Sequence, residues 1–325
     1  MNNLKKIGLS ALAGSLVATS AFAGAVSVSG GASIGMEHIN GGAADSGKSM
    51  YMGNQLTFTG GGELENGLNV SISFILDQND DKAADDQSTA GSYNSGTPFD
   101  SHSITVSSDT LGTFKFAGEG GASASTAVDT TAAGDIWDLF DDSGAITPGA
   151  AAATDNMFSY TLPSLVDGFS ATVSHDPAGS GTTSSNAWNV KYTGFEGLTL
   201  VYGAGEGSSP TTDVDVTTYS ANYAYGPVTV GYSKHDYDHT TATSDKETTS
   251  YKLSYTVSDE ISITYGQEEI DQVGKEAGDY TKLSASYTSG GMTLSATMAE
   301  ADNIDGTTTA TEDRELWALG ASFAF

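Results

Sequence analysis

The chain of 325 residues contains no cysteine and has few basic residues. Without disulfides, its fold depends on backbone hydrogen bonds or on a large apolar core. Only 12 Lys and Arg residues stand against 41 Asp and Glu residues, which gives a formal net charge of −29. This deficit of positive charge excludes nucleic acid as a partner, because phosphate binding requires a basic surface.

Long apolar runs are missing after residue 23. A membrane-spanning helix needs roughly 20 consecutive apolar residues, and no later segment approaches that length. The 12 Phe, 15 Tyr and 3 Trp residues nevertheless argue against a disordered chain. Any role in a membrane would therefore be carried by β-strands.

The first 23 residues have the pattern of a secretory signal peptide. Two lysines precede an apolar run from Ile7 to Val17, and Ala21-Phe-Ala23 matches a small-residue cleavage site. The run is too short for a membrane anchor. We expect residues 1–23 to be removed, so that residues 24–325 form the mature protein with a net charge of −31.

Apolar and polar residues alternate strictly along much of the chain. Examples are Tyr251-Lys-Leu-Ser-Tyr255, Ile261-Ser-Ile-Thr-Tyr265 and Met292-Thr-Leu-Ser-Ala-Thr-Met298. A two-residue period indicates a β-strand whose two faces meet different surroundings. Sixteen such segments occur, near residues 25–38, 49–60, 67–77, 101–107, 113–118, 156–162, 169–175, 186–193, 198–204, 216–225, 228–234, 248–257, 261–267, 279–288, 292–299 and 314–325.

The connections between these segments alternate in length. Seven are short and rich in the Gly, Asp, Asn and Pro residues of tight hairpins. Eight are longer and polar, near residues 39–48, 78–100, 119–155, 176–185, 205–215, 235–247, 268–278 and 300–313. This order places short turns at one rim and long loops at the other. It predicts an all-β fold: a transmembrane antiparallel β-barrel of 16 strands with short periplasmic turns and long extracellular loops.

Aromatic residues favour a membrane barrel over a soluble sandwich. Either fold can use an alternating strand, since a sandwich would bury the apolar face against a second sheet. A ring of aromatics at the ends of apolar faces is typical of a membrane interface. Residues of this kind are Tyr192, Tyr202, Tyr225, Tyr265, Tyr287 and Phe325. A barrel of about sixteen strands encloses an aqueous channel.

Three short segments carry a family resemblance. Leu316–Phe325 is similar to the terminal strand of Gram-negative outer-membrane proteins, and Ala25–Met36 and Leu111–Gly118 resemble strands of general porins of the alphaproteobacterial type. The resemblance implies a homotrimer in the cell outer membrane that passes small hydrophilic solutes by diffusion. It also implies that the outer-membrane assembly machinery recognises the terminal residue, Phe325. We also expect outer-membrane lipid, lipopolysaccharide and cations as partners.

The longest irregular stretch, at about residues 119–155, is the third long loop. Its segment Asp135–Asp142 combines acids with Ile136, Trp137, Leu139 and Phe140, and the loop has no basic residue. We expect the loop to fold into the barrel, where its carboxylates would narrow the passage and select cations. A solvated outer loop is the alternative. The candidate constriction acids are Glu119, Asp129, Asp135, Asp138, Asp141 and Asp142.

Basic residues on the polar strand faces are candidates for the opposite wall of the lumen. They are Lys115, Lys191, Lys252, Lys282 and Arg314. The related family commonly places an arginine cluster there, whereas this chain has a single arginine. The pore should therefore have a mainly negative potential, without the strong field between opposite charges that an arginine cluster would create. Ordinary hydration of separate lysines, without a shared cluster, is the alternative.

No cofactor or enzymatic motif is apparent. The chain has no G-x-S-x-G turn, phosphate-binding glycine loop or dinucleotide fingerprint. Acid runs at 77–81, 85–86 and 268–271 offer oxygen ligands for Ca²⁺ or Mg²⁺, but none has the spacing of a defined calcium loop. The sequence predicts that the protein is not an enzyme.

The favoured function is a water-filled, cation-preferring porin for the passive diffusion of ions and small hydrophilic solutes. A substrate-specific channel would instead need aromatic residues along the lumen, and most aromatics here fall on the apolar face. A structural or adhesive β protein would show a repeat of fixed length. Both alternatives stay open at this point.

Overall fold

The computed structural model describes residues 26–41, 47–78, 99–125, 131–140, 144–150, 155–177, 184–209, 212–308 and 313–325. The proposed signal peptide lies outside these residues. In chain order the strands are β1 (Ser27–Asn40), β2 (Gly47–Glu63), β3 (Asn69–Gln78), β4 (Phe99–Ser108), β5 (Gly112–Glu119), β6 (Met157–Thr161), β7 (Phe169–Asp176), β8 (Ser184–Tyr192), β9 (Leu198–Ser209), β10 (Thr212–Tyr225), β11 (Val228–His239), β12 (Lys246–Thr256), β13 (Ile261–Gln272), β14 (Gly278–Ser289), β15 (Met292–Asp302) and β16 (Arg314–Ala324).

The sixteen strands form one closed antiparallel barrel in which each strand pairs with its neighbours in sequence. The first and last strands close it, and Gly30 and Phe325 exchange two backbone hydrogen bonds of 2.8 and 3.0 Å at the end of this seam. Closure pairs every strand on both sides, which a bilayer requires because unpaired backbone groups are costly in lipid. The predicted 16-stranded barrel is confirmed.

Helical structure in the described residues is confined to two short 3-10 turns, Ile136–Phe140 and Ala242–Ser244. Neither turn has the length and apolar character to cross a bilayer.

The outer surface of the barrel is apolar. On β12, Tyr251, Leu253 and Tyr255 are each about half exposed, at 53, 50 and 49%. Between them, Ser254 hydrogen-bonds Thr264 of the next strand at 2.9 Å, on the opposite face. Exposed apolar side chains of this kind recur on most strands, so the outer surface is suited to lipid and not to water.

Strands extend further toward the long-loop rim than the sequence pattern predicted. The predicted loop at 205–215 is wrong, because β9 continues to Ser209 and β10 begins at Thr212. The predicted loops at 235–247 and 268–278 are likewise shortened. Near this rim the outward positions carry acids such as Asp213 and Asp215, which are exposed. The contrast between the two faces is reversed there, since Val214 and Val216 on the inward face are buried, and backbone pairing continues.

Candidate functional site

The segment between β5 and β6, residues 120–156, is called the third loop here. Two hydrogen bonds close its base: the Gly120 amide donates to Asp155 Oδ1 at 3.1 Å, and the Asn156 amide donates to the Gly118 carbonyl at 3.2 Å. The loop therefore leaves and re-enters the barrel wall at neighbouring points. Its described parts lie against the inner surface of the barrel.

An apolar cluster fixes the middle of the third loop to the wall. Ile136 and Phe140, from the short 3-10 turn, are buried together with inward side chains of β13 to β16. The Phe140 and Tyr280 rings lie 6.3 Å apart between centroids. Burying these groups stabilises the inward position by about 1.5–3 kcal/mol per large side chain. The partners are Ile39 of β1, Ile270, Tyr280, Ala299, Ala301 and Leu316 of β13 to β16, and Ile304, which follows β15.

Glu268 is the polar anchor beneath the same turn. Its side chain is fully buried. One carboxylate oxygen accepts a hydrogen bond from the Thr131 hydroxyl, and the other accepts from the Trp137 amide at 3.1 Å. A buried carboxylate without partners would be strongly unfavourable, so these donors and the loop position depend on each other.

Serine hydroxyls of the barrel wall accept hydrogen bonds from loop amides that have no backbone partner in the sheet. The Ala132 amide donates to Ser233 Oγ at 2.8 Å, and the Ala133 amide donates to Ser250 Oγ at 3.0 Å. Because buried amides need acceptors, this match of small hydroxyl residues to loop amides specifies where the loop lies.

One wall glycine provides the space that the loop needs. A Cβ added at Gly266 would lie 2.7 Å from Ala133 Cβ and 3.1 Å from Ile136 Cδ1. Those distances are shorter than van der Waals contact, so any larger residue at 266 would displace the loop.

The second half of the third loop is held by two basic side chains. Lys246 Nζ donates to the Thr147 carbonyl at 2.7 Å. His235 Nε2 lies 2.7 Å from the Gly149 carbonyl, and its Nδ1 lies 2.7 Å from Thr218 Oγ1. Since a carbonyl can only accept, Nε2 carries the proton of this contact.

The candidate constriction acids occupy different environments. Asp138 is exposed. Asp135 is part of a local turn, because its Oδ1 accepts from the Thr131 amide at 2.9 Å and its own amide donates to Thr131 Oγ1 at 2.7 Å. Glu119 ends β5 and lies 3.9 Å from His102 Nδ1. Three other candidates, Asp129, Asp141 and Asp142, lie outside the described residues.

The candidate basic residues are spread around the inner wall. Lys282 Nζ donates to the Gly134 carbonyl of the loop at 3.2 Å, which ties this lysine to the loop. Strand register places Lys115, Lys191 and Lys252 on inward faces of β5, β8 and β12. Arg314 is buried opposite Ala301 at the start of β16. These positions lie on five separate strands.

Sequence reasoning missed two of the anchors. It grouped Glu268 with Glu269 and Asp271 as a metal-ligand run, although neighbouring strand residues point to opposite faces. It overlooked Lys246, whose even spacing from Lys252 puts both on one face of β12. Within the described residues, no group of three or more His, Asp or Glu side chains is arranged to hold a metal ion.

A closed barrel with an apolar outer surface, a polar lumen and a loop folded into that lumen is the architecture of a membrane channel. The Gram-negative porin family model matches residues 8–278 of the sequence. The chain therefore belongs to the Gram-negative porin family, and it is a protein of the outer membrane.

Solved porin structures share this fold at low sequence identity. An engineered variant of the Rhodobacter blastica porin is 14% identical with a TM-score of 0.65, covering 93% of this chain and 100% of that chain. A loop-deletion mutant of OmpT, an outer-membrane protein of Vibrio cholerae, is 14% identical with a TM-score of 0.65, covering 93% and 99%. A porin refined at 1.8 Å is 17% identical with a TM-score of 0.64, covering 93% and 100%. No curated protein sequence matches significantly.

Proposed function

We propose that this porin is a water-filled, cation-preferring channel for the passive diffusion of ions and small hydrophilic solutes. The observation that carries the proposal is the way charge is distributed at the third loop. Lys246 and Lys282 donate to loop carbonyls, whereas the Asp138 side chain is exposed. An exposed carboxylate in the passage lowers the energy of cations relative to anions.

The burial of Tyr280 beneath the third loop favours a general channel over a substrate-specific one. A sugar-type channel would need exposed rings along the lumen. Tyr280 is only 1% exposed because Phe140 covers it, and Trp137 packs against the same cluster. Both rings therefore serve to hold the loop.

We propose that the protein is a homotrimer in contact with lipid and lipopolysaccharide. We also propose that the outer-membrane assembly machinery inserts it into the membrane. Phe325 supports the last point, since its side chain is 73% exposed at the barrel seam. Ca²⁺ or Mg²⁺ is proposed to bridge outward acids such as Glu269 and Asp279, which are paired across β13 and β14, to anionic lipid. No catalytic role is proposed.

Reversal potentials in planar bilayers test the cation preference. Under a KCl gradient, the wild-type channel should show K⁺ permeability above Cl⁻ permeability. Changing Asp135, Asp138, Asp141 and Asp142 together to Asn should lower the ratio by about twofold or more, because the local negative potential is removed. The ratio of permeabilities is the measured quantity.

A matched control uses four acids on the outward face. Changing Asp213, Asp215, Asp236 and Asp238 to Asn alters the same number of charges outside the lumen, and should leave the ratio nearly unchanged. Anion preference in the wild type would refute the proposed selectivity. An equal loss in both variants would refute its assignment to the third loop.

A further inference from the structure

Tyr51 of β2 is an aromatic residue on the lumen face of the barrel. It lies directly opposite Gly35 of β1, on the face that also carries Ile39 of the apolar cluster beneath the third loop. Its strand neighbours Met50 and Met52 point the other way and are 76 and 55% exposed on the outer surface. The Tyr51 side chain therefore extends into the lumen.

Two glycines allow the Tyr51 ring to lie along the wall. A Cβ added at Gly35 would lie 2.2 Å from Tyr51 Cζ and 2.6 Å from its Cε1, so the ring covers the backbone of Gly35. Gly35 is paired with Gly320 of β16, where an added Cβ would lie 3.7 Å from Tyr51 Oη. The ring thus crosses β1 toward β16 over two positions that have no side chain.

This part of the wall borders the third loop. Ala318, which is on the same face of β16 as Gly320, packs against the apolar cluster beneath the loop. The cluster includes residues of β13 to β16 and reaches Ile39 of β1. Tyr51 therefore lies at the edge of the area that the loop cluster covers, beside the remaining passage.

Tyr51 is much larger than the inward residues around it. Its nearest neighbours on the same face of β1 and β2 are Ser33, Ser49 and Gly53. Within the described ranges of β1, β2 and β3, no other inward position carries an aromatic side chain. The cross-section of the lumen at this depth therefore depends on the Tyr51 ring more than on its neighbours.

Shielding of a strand glycine is the structural role that a cross-strand aromatic can have. That role stabilises the barrel and does not depend on the free width of the lumen. The place of Tyr51 beside the third loop gives the ring a second effect, because the side chains that line a pore set its diameter.

We propose that Tyr51 is a size-determining residue of the pore. Its ring and the third loop together limit the cross-section that is open to solutes, and Gly35 and Gly320 keep the ring against the wall. The inference rests on the protein being a channel. It does not depend on the proposed cation preference, because the Tyr51 ring is uncharged.

Single-channel conductance of Tyr51 variants tests the proposal. Tyr51→Ser removes the ring and should raise the conductance in planar bilayers by at least about 1.3-fold, because a wider passage carries more current. Liposome swelling with sugars of increasing size should show a higher size limit for the same variant. Tyr51→Phe keeps the ring and should match the wild type in both measurements, which separates the bulk of the ring from the hydrogen bonding of its hydroxyl.

Gly35→Ala moves the ring in the opposite direction. The added methyl group would occupy the place of the ring, so the ring should be displaced into the lumen and lower the conductance by at least about 1.3-fold. In the double variant Gly35→Ala, Tyr51→Ser no ring is left to displace, and the conductance should equal that of Tyr51→Ser.

Gly31→Ala is the matched control on the same face of β1. A Cβ at Gly31 meets only the Phe323 carbonyl oxygen, at 3.4 Å, so the conductance should stay at the wild-type value. Circular dichroism checks that each variant is folded. If Gly35→Ala does not fold, the comparison of Tyr51→Ser with Tyr51→Phe still decides the proposal.

Three results would overturn the proposal. Wild-type conductance and size limit in folded Tyr51→Ser would leave the ring with a structural role alone. A double variant with the low conductance of Gly35→Ala would show that the glycine acts without the ring. Equal behaviour of Tyr51→Phe and Tyr51→Ser would assign the effect to the hydroxyl. A wild-type channel without cation preference would refute the proposed selectivity and leave these conductance differences in place.

Discussion

Glu268 shows how one residue links the barrel wall to the third loop. It is fully buried, and its two carboxylate oxygens accept from the Thr131 hydroxyl and the Trp137 amide. Its strand neighbour Glu269 points outward and makes no contribution to the loop. Whether an acid faces inward or outward on its strand therefore decides its role, and its membership of an acidic run does not.

Replacing Glu268 by Ala should loosen the third loop without unfolding the barrel. Two acceptors would be lost, which costs about 1.5–3 kcal/mol for each hydrogen bond to a charged group. We expect faster amide hydrogen exchange at residues 131–137 and greater open-channel current noise.

The matched control for this change is Glu300→Ala, which removes an exposed outward acid of β15. It should leave exchange and noise at wild-type values. If exchange at residues 131–137 is the same in Glu268→Ala as in wild type, Glu268 is not an anchor of the loop.

At the scale of strands, alternation was sufficient to predict the number, order and topology of the barrel. Segments such as Tyr251–Tyr255 have strong contrast between faces, so their strand assignment was correct. The ends of β9, β11 and β13 were missed because their outward face becomes polar, so the pattern of apolar residues on the outside stops there. The anchors of the third loop were not predictable either, since they are contacts between residues far apart in sequence, such as Ala133 and Ser250.

A charge on each face of β12 tests the assignment of those faces. Leu253→Arg places a charge in the lipid-facing surface and should destabilise the folded barrel by about 2–4 kcal/mol if it lies near the bilayer midplane. Ser254→Arg places the same charge in the lumen, where water hydrates it. Urea unfolding in vesicles measures both free energies. Equal destabilisation by the two variants would contradict the assignment.

At the scale of the whole molecule, the barrel reverses the arrangement of a soluble protein. Large apolar residues such as Leu283, Leu294 and Leu319 are 42–50% exposed on the outside, while hydroxyl residues such as Ser233 and Ser250 face the interior. In the described residues the larger buried apolar cluster lies at the third loop, and a smaller one joins Val214, Val216 and Tyr237. The fold is held mainly by the closed hydrogen-bond ladder, which explains how a chain without cysteine and with few large apolar residues is stable.

Single-cysteine accessibility along β15 tests most directly whether this barrel encloses water. The chain has no cysteine of its own, so each substitution gives one thiol. With the protein in vesicles, Ser295→Cys and Thr297→Cys should react with a charged, membrane-impermeant thiol reagent at least about tenfold faster than Leu294→Cys, Ala296→Cys and Met298→Cys, because reaction requires a hydrated thiolate. Uniform reactivity, or faster reaction at the three apolar positions, would contradict a water-filled pore with a lipid-facing outer surface.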